Sequence, residues 1–320
     1  MPTPDAVVLL NLGSPAAPTV PAVRAFLREF LDDPRVIALP FPLRKLLLEG
    51  VILPFRAKKS AARYAKIWTR EGSPLIAETE RLRARVAREL GGNARVLCAM
   101  RCGEPGLEAA ARELRAAGAR DVFAIPLFPQ RAESSWDSAA ERAKEVFRKR
   151  APQIRLRFAA PFFAEPGYVG ALAETTENAL RGRAFDKLLI SFHGVPAAAK
   201  RAESYRAECL TTAEKLAAAL RLPRERWEAA FQSRFGRGKW IGPATDARLR
   251  ALPAEGARRL AVVSPSFVAD CLESLEEIGV AGRELFLAAG GESFCAVPCL
   301  NASPAFARFL SEIVRSRAAA

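Results

Sequence analysis

Histidine is almost missing from this chain: His193 is the only one in 320 residues. Any chemistry that needs an imidazole must run through that one side chain. Long apolar runs are also missing. None reaches the roughly 18 residues a membrane-spanning helix requires, so no such helix is expected. The start, MPTPDAVVLLNLGSP (1–15), carries no basic stretch ahead of its apolar run and reads as a first strand rather than a signal peptide. A cytoplasmic location is the resulting expectation. The six cysteines include no CxxC pair and are expected to be reduced and mostly buried. Two CxxxC spacings exist, 98/102 and 295/299. Cys98 falls inside a strand pattern and Pro298 interrupts the second pair, which argues against cluster or zinc ligation. The phosphate signatures are missing too. GSPAAP (13–18) is not GxGxxG, the lysine of GRGKWIG (236–242) is followed by neither Ser nor Thr, and no GxSxG occurs. No basic block with interleaved aromatics and no zinc-finger spacing is present, so no nucleic-acid partner is expected.

What the chain does have is apolar content (50%) and a net charge of +14. The first is enough for a large core and favours two domains over one. The second comes largely from arginines spread along helical stretches. It suits phosphates, carboxylates, acidic lipid or nucleic acid, or simply reflects an Arg- and Ala-rich composition.

Strand and helix alternate, and then do so again. VVLLNLGSP (7–15) is a strand ending in Gly-Ser-Pro, followed by Val20, Val23, Phe26, Leu27, Phe30 and Leu31 at helical spacing. Residues 39–56 are apolar with basic punctuation, and 63–75 reads as a turn-rich connection. A helix over 76–90, a strand over 94–105, a helix over 106–117 and a strand over 121–130 follow. In the second half KLLISFHGVP (187–196) parallels VVLLNLGSP, WEAAFQSRFG (227–236) parallels VLCAMRCGEP (96–105), and GARRLAVVSPSF (256–267) parallels GARDVFAIPLFP (118–129). The expected fold is α/β: two similar Rossmann-like domains, each a parallel β-sheet flanked by helices. The boundary falls near 150–165, giving domains 1–160 and 161–302, with the last helix (303–320) packing back on the first.

His193 stands where the strand KLLISFH runs out into the turn Gly194-Val195-Pro196. In open parallel sheets ligands gather beyond the carboxyl ends of the strands. A packed histidine and a ligand or base are both open readings there. The second feature is the acidic stretch VADCLESLEEI (268–278). At helical spacing Asp270, Glu273 and Glu277 share one face, with Val268, Cys271, Leu272, Leu275 and Ile278 on the other. A solvated helix face is one reading. A place on the same rim as His193 is the other, because the stretch directly follows strand LAVVSPSF.

These segments carry a family resemblance that runs almost end to end: LLNLGSP, GVILPFR, GSPL, PLFPQ, SFHGVP, FQSRFGRGKWIGP.TD, SPSFVADCLE.LEEI and LNASP. The chain resembles the ferrochelatases, which insert Fe(II) into a porphyrin to make haem, and is similar to their proteobacterial protoporphyrin type. The resemblance implies two Rossmann-like domains with a porphyrin cleft between them. His193 would lie on one side of the macrocycle, as proton acceptor and metal ligand, with Glu273 on the other. Asp270 and Glu277 match an acidic line leading from the metal site, on a helix with a wider π-type turn. Trp240 matches an aromatic that packs on the macrocycle, Arg101 a position that holds a propionate-binding arginine in some members and another residue in others, and Ser73 a cleft residue. The chemistry agrees: insertion must strip two pyrrole N–H protons and the metal's waters, work that suits an imidazole and a carboxylate. Iron is then substrate, with no tightly bound cofactor. No iron–sulfur cluster is expected, because the cysteine-bearing extension of some relatives is not present before Ala320. Cys271 stands where animal enzymes have histidine and Cys102 where tyrosine is common, and PQRAESSWDSA (129–139) departs from the family's Ser-rich loop. Residues 39–56 fit the family's apolar lip, where Arg44, Lys45 and Arg56 would favour anionic headgroups and a peripheral membrane contact. A helix packed on the domain is the alternative. A chelatase serving coproporphyrin or another metal, and a non-catalytic haem carrier, are the competing functions.

Overall fold

A computed structural model describes residues 4–234 and 238–317. The chain divides into two compact units. The first comprises residues up to Phe128, Glu133–Pro161 and the chain from Ala307 onward; the second comprises Pro129–Ala132 and Phe162–Phe306.

The first unit is built on β1 (Ala6–Gly13), β2 (Arg95–Cys102), β3 (Asp121–Pro126) and β4 (Arg155–Phe158), in the order β2-β1-β3-β4. All its neighbours pair in parallel. The second unit repeats this with β5 (Lys187–His193), β6 (Trp227–Gln232), β7 (Arg259–Val263) and β8 (Ser293–Ala296), ordered β6-β5-β7-β8 and again parallel. The continuous apolar runs of β1 and β5 suit central strands buried on both faces. Ala6, Val8 and Leu10 pack with Leu114, Val146 and Phe147, while Leu189, Leu260 and Val262 pack with Leu252, Ile278 and Phe286. Full burial of each such Leu, Val or Phe side chain is worth about 1.5–3 kcal/mol. The expected α/β fold of two similar parallel sheets is the observed one.

Each unit also pins its sheet with the same device. Asp5 accepts the backbone N–H groups of Arg120 and Asp121 at 2.7 and 2.9 Å, and Asp186 accepts those of Arg258 and Arg259 at 3.0 and 2.7 Å. A carboxylate just ahead of each central strand thus satisfies the donors that open the third strand.

Several elements differ from expectation. The stretch 63–75 is not all turn: the helix Leu53–Ile67 runs into it, and only the Thr69–Gly72 turn and Ser73 precede the helix Pro74–Glu89. The strand read over 121–130 stops at Pro126, because prolines 126 and 129 lack the N–H that a ladder needs. Gly236, read as closing the strand from 227, lies outside the described residues. Residues 41–67 are helical throughout, with a π segment at Leu48–Ile52. The acidic stretch does not start a helix at 268. Its helix begins only at Leu272 and runs to Gly282; it is π-helical, as the resemblance implied.

Candidate active site

β5 delivers His193 to the carboxyl edge of the second sheet, half-buried, in register with Gln232 on β6. Its backbone is held on both sides. Its N–H donates to Ser266 Oγ at 3.3 Å, and its carbonyl accepts the Tyr205 hydroxyl at 2.8 Å. The imidazole meets the Phe267 ring edge-on, with centroids 6.0 Å apart. Nδ1 lies 2.6 Å from the carbonyl oxygen of Gly194. A carbonyl only accepts, so Nδ1 carries a proton, and in the neutral ring the lone pair is then on Nε2. That is the tautomer a base or a metal ligand needs.

Trp240 is brought to the same place through the turn after β5. Pro196 pairs with Trp240, and Ile241 N–H reaches Val195 O at 3.1 Å. Gly194 makes this possible. A Cβ there would stand 2.8 Å from the Gln232 carbonyl oxygen, which would have to shift, and in van der Waals contact with Trp240 Cε3 at 3.4 Å.

Glu273 lies in the first turn of the π helix, half-buried. The turn is closed by a reciprocal cap: Cys271 Sγ accepts the Ser274 N–H, and Ser274 Oγ accepts the Cys271 N–H at 3.0 Å. Burial first, and then the neighbouring Glu273 carboxylate, push the Cys271 thiol well above its ordinary range. The position therefore offers a neutral thiol beside the glutamate.

The two-faced reading of 268–278 needs correcting. Asp270 precedes the helix, and its carboxylate accepts Asn301 Nδ2 at 2.7 Å, the Cys299 N–H at 3.0 Å and Ser274 Oγ at 3.2 Å. Glu277 accepts the Ser233 N–H at 2.7 Å and Ser233 Oγ at 2.8 Å, one on each oxygen. Glu276, not Leu275, is the buried residue, only 3% exposed. A π turn holds more residues than a 3.6-residue turn, so each later residue advances less far round the axis and an α-helical face assignment slips here.

Ser73 and Arg101 belong to the first unit. Ser73 is buried ahead of the helix Pro74–Glu89. Arg101, near the end of β2, is 9% exposed and fully engaged. It donates to Asp33 Oδ2 at 2.9 Å, Ser138 Oγ at 3.0 Å and Cys102 Sγ at 3.3 Å. Burial alone would raise the Asp33 pKa, but Ser138, the Arg35 N–H and Arg101 outweigh it and hold the carboxyl below its usual value. Among the described residues, no three His, Cys, Asp or Glu side chains are grouped so as to hold a metal ion.

The arrangement has relatives. CbiX, the terminal enzyme for siroheme biosynthesis in denitrifying bacteria, superposes with a TM-score of 0.54 at 17% identity, covering 98% of this chain and 99% of that one. The sirohydrochlorin chelatase SirB from Bacillus subtilis subspecies spizizenii, in complex with cobalt, gives a TM-score of 0.53 at 14% identity, covering 74% and 88%. At such identities the likeness speaks for the fold alone: this is a chelatase fold. The sequence is more particular. The family model "Ferrochelatase" matches residues 4–318. The ferrochelatase of Azotobacter vinelandii is 44% identical over 98% of this chain and 99% of that protein. That of Azoarcus sp. (strain BH72) is also 44% identical, over 98% and 87%. The chain belongs to the ferrochelatase family, metal chelatases of haem biosynthesis.

Proposed function

We propose that this protein inserts Fe(II) into protoporphyrin IX to give protohaem, with His193 as proton acceptor and transient metal ligand and Glu273 acting from the opposite face of the macrocycle. The carrying observation is the 2.6 Å contact of His193 Nδ1 with Gly194 O, which in the neutral imidazole leaves the lone pair on Nε2. The porphyrin gives up two pyrrole protons as the divalent iron enters, so no electron is exchanged. Nε2 takes a pyrrole proton, and Glu273 can take the other or hold the incoming ion while its waters leave. Iron is a substrate in this scheme and no resident cofactor takes part. Few protein ligands suit the task, because the metal has to pass from the protein to four ring nitrogens.

Trp240 is the best supported porphyrin contact, since it packs beside Gly194, the residue that follows His193. Ser73 remains in the proposal as a lining residue. Arg101 as a propionate anchor has less support, because Asp33 and Ser138 already occupy its guanidinium. Asp270 and Glu277 as a metal relay would have to release the bonds described above.

The apolar lip is a further part of the proposal. Among the described residues every exposed large hydrophobic falls between Val20 and Phe55, led by Phe55 (72% exposed) and Leu46 (71%). An apolar patch of this kind fits a peripheral contact with a bilayer. The basic residues add less than their number suggests. Arg44 is buried against Asp32 and the Leu39 carbonyl, and Lys45 Nζ lies 2.9 Å from the same Asp32. No helix among the described residues is long and apolar enough to cross a membrane.

The test is anaerobic Fe(II) insertion into protoporphyrin and, in parallel, coproporphyrin, followed by the Soret shift. The proposal predicts turnover with protoporphyrin preferred. Preference for coproporphyrin, or for another metal, would point to a related chelatase. Binding with no insertion of any metal would make the protein a carrier.

A further inference from the structure

We infer that Gln232 is a positioning residue for insertion: it ties the imidazole's support and the first turn of the π helix to a single strand end. The inference rests on the roles proposed for His193 and Glu273. Gln232 is the last residue of β6, directly beside His193 in the ladder, and only 3% exposed. Its backbone carbonyl accepts the Gly194 N–H at 2.8 Å. Gly194 is the residue whose own carbonyl orients the imidazole through Nδ1. The side-chain amide of Gln232 points the other way, with Nε2 donating to the Glu273 carbonyl at 3.2 Å. One residue therefore connects the group that fixes the base's tautomer to the peptide that carries the carboxylate.

The orientation of the amide is determined by its partners. The Glu273 carbonyl can only accept, so the NH2 must face it. Oε1 then takes the Ser191 hydroxyl at 2.8 Å, and Ser191 in turn meets Thr245 Oγ1 at 2.8 Å. Ser191 lies on β5, two residues before His193, so the amide is braced against the strand that carries the base. The following residue, Ser233, holds the same helix one turn on by binding both carboxylate oxygens of Glu277. Ser233 does so in the left-handed region, at φ 65°, a conformation a serine adopts at a cost. Two successive residues leaving β6 thus fasten the π helix at positions 273 and 277. Supporting hydrogen bonds of this kind set the orientation of groups that do touch substrate, and a displacement of about 1 Å at a reacting group can cost about 100-fold in rate.

The test is a double-mutant cycle of Q232M and E273Q, measuring kcat for Fe(II) insertion and porphyrin Kd by tryptophan fluorescence quenching. Methionine keeps the volume and loses the amide's hydrogen bonds to Glu273, Ser191 and Ser264. Q232M is expected to lower kcat by roughly 10- to 100-fold and to leave porphyrin Kd within about threefold. In the E273Q background the same change should cost less than about twofold, because the carboxylate it positions is already gone. Equal losses in both backgrounds, or wild-type kcat in Q232M, would overturn the inference. If E273Q itself turns over normally, it is the proposed role of Glu273 that fails. Should Q232M not yield folded protein, Q232E carries the same cycle: it is isosteric, keeps the Ser191 acceptor and sets an oxygen against the Glu273 carbonyl.

Discussion

The two units share a plan and differ where their central strands end. β1 and β5 each close on Gly-x-Pro, each is preceded by an aspartate that pins the third strand, and each lies between the same sheet neighbours. Met100 N–H reaches Pro105 O at 2.7 Å, and Phe231 N–H reaches Pro243 O at 2.8 Å. Beyond that the chemistry diverges. At the end of β5 stands His193, with Trp240 packed beside the following Gly194 and the Gln232 amide next to it in the ladder bonded to the Glu273 carbonyl. At the corresponding place on β1 stands Leu12, and the polar groups nearby, Asp33, Arg101 and Ser138, satisfy one another in a closed cluster. One strand end carries the residues proposed to act on the porphyrin. The other spends its charges on holding itself together, and its unit presents an apolar surface.

The sharpest way to break this comparison is at the paired glycines. Gly13 has φ +101°, and a Cβ there would stand 1.8 Å from Cys102 O, a backbone atom. Gly13→Ala should therefore prevent the first unit from folding, with soluble expression lost. Gly194→Ala meets Gln232 O at 2.8 Å without a positive φ, so it should fold and lose turnover through displacement of the Gln232 strand end. Comparable thermal melts for the two variants would contradict the assignment of constraint to one unit and function to the other.

Next in size is the closed cluster. Asp33→Ala strands the buried Arg101 guanidinium and should cost about 3–5 kcal/mol in a denaturant titration. The sign of the pH dependence follows from the depressed Asp33 pKa. Its contribution is fully present above the unfolded value of 3.8 and is lost as pH falls through the lower folded value. The acid limb of wild-type stability should therefore flatten in the Asp33→Ala variant, and an unchanged limb would remove Asp33 from the account.

A smaller effect separates surface from chemistry. The Leu46→Asp, Phe55→Asp double variant should lower co-sedimentation with anionic phospholipid vesicles by roughly tenfold, from the apolar area withheld from the bilayer. Insertion assayed in detergent should stay within about twofold of wild type. Equal vesicle binding would return 39–56 to an exposed surface with no bilayer partner.

Much of the fold could be read in advance because its signals are local. Apolar strands broken by Gly-x-Pro, repeated with the same spacing, were enough for two parallel sheets, and the strand-end position singled out His193. What could not be read depends on pairing across long separations. Nothing in the sequence says that Arg101 is taken by Asp33, 68 residues away. Gln232 lies inside FQSRFG, a segment that marks the family without marking that residue, and only the β5–β6 register places it beside His193. The acidic stretch misled for a different reason. A 3.6-residue period was applied to a helix that starts at Leu272 and winds wider, which buried Glu276 and left Asp270 outside.

The most direct test of the central claim is His193→Ala titrated with protoporphyrin and then given Fe(II) without oxygen. With the only imidazole removed, the porphyrin should still bind within a few-fold of wild type, while insertion falls by about 100- to 10,000-fold. Undiminished haem formation by that variant would mean the strand end of the second unit does not supply the base.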